Sequence, residues 1–409
     1  MKNVQKFTLK NGVRVLVEPV DYVQSVAIGL TCKTGSRHEL PHEAGITHVI
    51  EHMVFKGTPN RTAKQIAEEI ESRGGSLNAF TDKEMTCYYC RMLADDAPVG
   101  VDVLTDIVLN PLFEQEELER EKGVILEEIK RYHDDPSEYV HELHYSERWG
   151  NHPLGKPIIG TEESVKSFSV DDLRCYMQRQ YKAENVVLSV AGNVDPVAFK
   201  ECAEEKLSKF EPGATTKNLD APVGKRLKKE LGEDTEQVHF CIGSDAPSLF
   251  DTEDMFSTLV MGSILGGGMS SRLFQEIREK RGLVYSIGSY MLNYEAGGAF
   301  TVTGGTSDEA WPLVQKLVRE EFDKLINGEI ENDEIEKIKS NICGQLVLSL
   351  EGMSAQMMRA TRHELHYNKT IPVEESLANV RAVSKDRIVD IANRLLTPDK
   401  INTTAIGPF

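Results

Sequence analysis

The sequence predicts an α+β fold built twice: two homologous domains, each a mostly antiparallel sheet packed with helices. Three observations lead there. Short β-rich runs sit beside long helical stretches, a segment rich in Pro, Gly and charge divides the chain near its middle, and motifs of the first half recur in the second.

The elements follow in chain order. Residues 13–17 (Val-Arg-Val-Leu-Val) and 26–32 (Val-Ala-Ile-Gly-Leu-Thr-Cys) read as strands, with a turn between Pro19 and Gln24. Ile46, Val49, Ile50, Met53 and Val54 repeat at helical spacing, and Gly57 with Pro59 supplies the stop. Thr62 and Gln65 have the form of a capping box for a helix that ends at Gly74-Gly75. Residues 85–92 read as a strand and 114–131 as a helix. Residues 211–234 show no sustained apolar period and read as a linker, which divides the chain into domains 1–210 and 235–409.

Three matches connect the two domains. Residues 110–118 resemble 327–335, the pentapeptide His141-Glu-Leu-His-Tyr145 returns as His363-Glu-Leu-His-Tyr367, and 165–169 parallels 380–384. Order and spacing are kept, so a duplicated domain is expected.

Bulk composition limits the functional classes. A chain of 409 residues exceeds one core and suits two. Hydrophobic residues make up 40% and charged residues 27%, as in globular domains. A net charge of −18 argues against a nucleic-acid partner, since phosphate contacts need surplus Lys and Arg. No run of about 18 apolar residues occurs, and the N-terminus lacks the apolar stretch of a secretory signal, so no membrane association is expected. Seven scattered cysteines point to reduced thiols and a cytoplasmic location.

The segment Gly45-Ile-Thr-His-Val-Ile-Glu-His-Met-Val-Phe-Lys-Gly57 carries the chemistry. Its apolar stripe occupies one helix face, while His48, Glu51 and His52 fall on another. Residues four apart on a helix are neighbours at about 5–6 Å, so two imidazoles there can reach one Zn²⁺. A catalytic zinc keeps three protein ligands and a water, and that water needs a base, a role that Glu51 fits. The spacing is the inverted zincin pattern, His-x-x-Glu-His. A third ligand must come from elsewhere. The helix over 114–131 offers Glu121 and Glu128 on one face, about 10.5 Å apart along the axis, while Glu127 points about 100° away. One of the pair is expected to bind the metal and the other to support a ligand; spacing alone does not choose.

These residues resemble the pitrilysin superfamily of inverted zincins, which includes insulin-degrading enzyme and mitochondrial processing peptidase. The resemblance covers essentially the whole chain and is closest to the short two-domain branch. It implies a zinc metallopeptidase with one Zn²⁺ per chain, held by His48, His52 and Glu128, with Glu121 as support and Glu51 as general base. Glu128 stands 76 positions after His52, the family spacing, and Glu121 seven before Glu128. The resemblance also implies that Asn78, Ala79 and Phe80 hold an extended peptide substrate beside the metal. In the second domain it assigns Arg278 and Tyr285 to substrate and to the oxyanion of the attacked carbonyl. Offset by 217, Glu121 and Glu128 meet Ile338 and Gln345, and no second His-x-x-Glu-His occurs, so the second domain is expected to lack a metal site and to contact substrate. Four such domains enclose the family's chamber, which implies a homodimer, or a heterodimer with a related subunit, with Arg278 and Tyr285 facing the partner's zinc. A non-catalytic assembly subunit is the competing expectation, at odds with the intact metal motif.

Other motifs are read as structural. Cys87 and Cys90 lie three apart in a strand, on opposite faces, unlike a redox pair at a helix start. Gly266-Gly-Gly268 is followed by no Gly-Lys-Ser/Thr and reads as a flexible loop opening a helix. The recurring His141/His144 and His363/His366 read as a shared structural helix position rather than a second metal.

Overall fold

Apolar runs of the first half assemble into a six-stranded sheet. Its strands are β1 (Gln5–Thr8), β2 (Arg14–Pro19), β3 (Ser25–Cys32), β4 (Ser76–Thr81), β5 (Thr86–Leu93) and β6 (Val186–Gly192), in the order β1-β2-β6-β3-β5-β4. All neighbours pair antiparallel except β2 with β6. β6 is buried along its whole length, as a central Val-rich strand should be. The second half builds β7 (Lys228–Gly232), β8 (Val238–Ala246), β9 (Val284–Tyr294), β10 (Gly297–Thr306) and β11 (Asn402–Gly407), in the order β7-β11-β8-β10-β9. Here only β7 with β11 is parallel. Without β1, the first sheet has the same order and strand directions as the second. The computed structural model describes residues 4–215 and 219–409; the first three residues of the N-terminal reading and positions 216–218 of the expected linker lie outside them.

Helices follow the predicted periods. In the first half they are α1 (Ile46–Met53), α2 (Ala63–Glu71), α3 (Ala97–Leu109), α4 (Gln115–His133), α5 (Pro136–Trp149), α6 (Glu162–Ser167), α7 (Val170–Gln180) and α8 (Pro196–Leu207). The second half adds α9 (Thr252–Gly266), α10 (Trp311–Ile326), α11 (Asn332–Ser349), α12 (Met353–Tyr367), α13 (Val373–Ala382) and α14 (Lys385–Leu395). The capping box of α2 is present: Thr62 N–H donates to Gln65 Oε1 at 2.9 Å and Gln65 N–H to Thr62 Oγ1 at 3.3 Å. Cys87 and Cys90 lie in β5 as free thiols. The triple glycine closes α9, with Gly266 its last residue and Gly267 its C-cap, and precedes a short π-helical turn, Phe274–Glu279.

The repeats coincide in bonding as well as order. In α4, Lys122 reaches Glu119 at 2.8 Å and the Lys166 carbonyl at 3.3 Å. In α11, Lys339 reaches Glu336 at 2.9 Å and the Arg381 carbonyl at 3.1 Å. Ser169 and Ser384 are the N-caps of α7 and α14.

Two differences from the sequence reading stand out. Residues 228–232 are strand β7 rather than linker; their alternating exposure at the sheet edge hides the strand behind charged side chains. The compact units also depart from the linear division. One comprises Met1–Ile129, Pro157–Lys217 and Val347–Val373, the other Lys130–Lys156, Asn218–Leu346 and Glu374–Phe409. Each unit thus takes a helix from the other half of the chain, and these are the two helices that carry the repeated pentapeptide. In the second unit, α5 places His141 Nδ1 2.6 Å from the Tyr290 hydroxyl and His144 Nδ1 3.0 Å from Thr404 Oγ1. In the first, α12 buries Glu364 against Lys6 at 2.8 Å and Arg14 at 3.2 Å. The pentapeptides are packing devices, because a helix covering a sheet needs polar anchors for its buried polar neighbours.

Candidate metal centre

The centre lies within the first unit and starts from α1. Ile46, Val49, Ile50 and Met53 are fully buried in the core of that unit, which turns His48, Glu51 and His52 the other way. The two imidazole centroids stand 4.7 Å apart at 63°. Gly45 opens the helix at φ +90°, where a Cβ would meet the Gly160 Cα at 2.7 Å. Only glycine combines that backbone with that approach.

α4 supplies the carboxylates. Leu118, Ile125 and Ile129 anchor it in the core, Glu127 is exposed, and Glu121 and Glu128 point to the histidines. Glu128 Oε2 lies 3.9 Å from His48 Nε2 and 3.9 Å from His52 Nε2, and one ligand atom from each of the three residues falls within 4.8 Å of the others. These separations are too long for hydrogen bonds. Three lone-pair donors therefore converge around a gap of cation size, which suits a tetrahedral zinc with bonds of about 2.0–2.2 Å. Among the described residues this is the one group of three or more His, Cys, Asp or Glu placed to share an ion.

Glu121 takes the supporting position. Its Oε2 is 3.1 Å from His52 Nδ1, and its Oε1 is 2.7 Å from Lys56 Nζ. With the Glu121 carboxyl oxygen as acceptor, His52 donates through Nδ1 and Nε2 is left facing Glu128. The structure thus separates the two acids that spacing left open: Glu128 faces both histidines, and Glu121 lies behind one of them.

Electrostatics agree with this division. Burial, aided by the neighbouring His52, pushes the His48 imidazole down to about 4, so it is neutral and able to bind metal at pH 7. Burial also raises the Glu51 carboxyl, and the Glu128 charge adds to that, against the pull of Thr81 and His52. The Thr81 hydroxyl donates to Glu51 Oε2 at 2.5 Å.

The remaining expected residues fall in two places. Asn78, Ala79 and Phe80 lie on β4, the edge strand beside α1, with the Ala79 N–H accepted by Asn78 Oδ1 at 2.8 Å. Arg278 and Tyr285 belong to the second unit and are neighbours there. The Arg278 guanidinium stands 4.6 Å from the Phe274 ring centre and 5.7 Å from that of Tyr285, whose side chain is 82% exposed. Lys56 and Glu39 were not singled out from sequence, and Thr81 entered only as the end of the strand expected to hold substrate. Lys56 carries no motif of its own, and the contact of Thr81 with Glu51 emerges only in the folded chain.

Comparisons with known proteins decide the family. Residues 14–162 match the model for Insulinase (Peptidase family M16), and residues 167–342 match the model for the Peptidase M16 inactive domain. A protein named uncharacterized zinc protease from Bacillus subtilis is 40% identical over 396 residues, covering 97% of this chain and 96% of the relative.

The chain belongs to peptidase family M16.

A second relative, an uncharacterized zinc protease of Rickettsia felis, is 37% identical and covers 99% of this chain and 97% of its own. The M16 fold recurs in a structure of a peptidase M16 inactive domain from Pseudomonas fluorescens, with TM-score 0.92 and 20% identity over 100% of this chain and 98% of that one. A protease from Helicobacter pylori gives TM-score 0.91 at 21% identity over 99% of each chain. The chain is a two-domain M16 zinc metallopeptidase: the family matches both halves, and its own residues provide the His-His-Glu donor set.

Proposed function

We propose that this M16 peptidase hydrolyses peptides or unfolded polypeptide segments with Glu51 as general base. The observation that carries the reading is the convergence of His48, His52 and Glu128, with the Glu51 carboxylate one helical step away and tethered by Thr81. Those three residues would hold one zinc ion per chain. When bound, that ion supplies Lewis acidity, polarising the scissile carbonyl and acidifying water. Glu51 accepts a proton from the attacking water and returns it to the departing amide nitrogen. Its burial suits it to both tasks, since a raised carboxyl lies nearer the working pH. Glu121 keeps His52 in the metal-binding tautomer throughout.

Substrate is taken up in extended form against β4. An edge strand offers unpaired backbone groups to a peptide, which reads main chain more than side chains. Asn78, Ala79 and Phe80 line that edge. Arg278 holds backbone carbonyls or a carboxylate of the substrate, and the exposed Tyr285 hydroxyl donates to the oxyanion. The chain works as a homodimer, or with a related subunit, whose four domains enclose a size-selecting chamber. Seven scattered cysteines, an odd and irregular set, favour a reducing compartment such as the cytoplasm.

The test is metal content together with cleavage of a quenched peptide. Purified protein is expected to carry one zinc per chain and to be active. Glu51→Gln should keep the metal and lose at least about 100-fold in kcat. Metal-free protein with no turnover on adding zinc, or a Glu51→Gln variant as fast as wild type, would overturn the reading.

A further inference from the structure

The tether on Glu51 carries one step more, resting on the general-base reading above. Thr81 is the last residue of β4, and its hydroxyl meets the Glu51 carboxylate at 2.5 Å from Oε2. A glutamate side chain has three rotatable torsions, and a donor fixed on one side selects among them. Oε2 is taken by the hydroxyl, so Oε1 is left to face a water. Strand chemistry does not itself demand this hydroxyl. Valine, its near isostere, suits a strand as well as threonine does. The opposite end of the arrangement is equally fixed: Glu51 stands on the rigid helix α1, packed into the core through Ile50 and Met53.

We infer that Thr81 is a positioning residue that orients the Glu51 carboxylate for proton transfer. Because it terminates the strand offered to substrate, the same element that receives the peptide also aims the base. A peptide adding to β4 pairs with backbone groups beside Thr81 while the Thr81 side chain stays engaged with Glu51. Strand alternation puts Thr81 on the face opposite Phe80, so a substrate contact at Phe80 leaves the tether undisturbed.

The experiment compares Thr81→Val and Thr81→Ser for kcat, KM and zinc content on one quenched peptide. A hydrogen bond to a charged group is worth about 10- to 100-fold in rate when lost. Thr81→Val is expected to lower kcat by about that factor, with KM within about twofold of wild type and zinc retained. Thr81→Ser, which restores the hydroxyl, should recover most of the rate. In a Glu51→Gln background, Thr81→Val should cost nothing further, because the group that it positions is gone. A Thr81→Val enzyme with wild-type kcat, beside an inactive Glu51→Gln, would overturn this inference alone. So would an equal loss in both Thr81 variants, or a loss that follows zinc content, since either marks a merely structural threonine. A fully active Glu51→Gln would remove the general-base reading and this inference together.

Discussion

His144 shows how burial alone sets a charge state. It is enclosed in the second unit, with Nδ1 against Thr404, and burial, with the Arg148 and His141 charges, pushes it down to about 3. In the unfolded chain its value is the ordinary 6.5. Between these values the unfolded state binds the extra proton, so its contribution to stability is complete above about pH 6.5 and falls as pH drops. The slope for one proton is about 1.4 kcal/mol per pH unit. His144→Gln should remove one proton's worth of this acid sensitivity, read as a shallower fall in unfolding midpoints from pH 6.5 towards pH 4. An unchanged slope would show that His144 titrates normally. The sequence separates His144 from His48 by motif alone: His48 opens His-x-x-Glu-His, whereas His144 belongs to the repeated pentapeptide. In the folded chain His48 faces His52 and Glu128, while His144 is enclosed against Thr404.

At the scale of elements, α1 depends on a residue outside it. Glu39 is half-buried, and its carboxylate accepts the Gly45 N–H at 2.8 Å and the Thr47 N–H at 2.9 Å, closing the first turn of the metal helix. Thr47 adds a bond to Tyr176 at 2.8 Å, which ties the same turn to α7. Glu39→Ala leaves two enclosed donors without partners. It is expected to cost about 1–3 kcal/mol in the zinc-free protein and to make zinc easier to strip with a chelator. Thermal unfolding and a chelator competition would check this; a variant with wild-type values in both would remove Glu39 from the support of the site. The apolar stripe of α1 was legible from spacing, but its cap was not. Glu39 sits six positions before Gly45, beyond the usual capping window, and folds back through a short 3-10 turn.

At the scale of the whole molecule, the duplication has been kept in the sheets and lost in the chemistry. Strand order, the buried Lys122 and Lys339, and the serine caps are shared, while Ile338 and Gln345 stand where the first half has Glu121 and Glu128. A half without metal ligands is free to serve substrate instead. If sites are shared between chains, mixing inactive Glu51→Gln with inactive Tyr285→Phe should restore partial activity. No recovery, with subunit exchange demonstrated by mass or fluorescence, would refute sharing between chains. The exchanged helices α5 and α12 have a consequence here: cutting the chain at the segment 211–234 separates each sheet from one of its own covering helices. Isolated halves are therefore expected to expose apolar sheet faces, which dye binding or aggregation would report.

Helix periods, the His-x-x-Glu-His spacing and the offset repeats were readable directly, because each depends on residues near one another in the chain or on a fixed interval between copies. They were enough for the fold class and for proposing His48 and His52 as ligands and Glu51 as the base. The choice between Glu121 and Glu128 by geometry, the tether from Thr81, the cap from Glu39 and the exchange of α5 and α12 arose only in the folded chain. Each is a contact between side chains far apart in sequence, where direction and distance depend on how core packing sets one element against another. The zinc turn is a local pattern; the site around it is a property of packing.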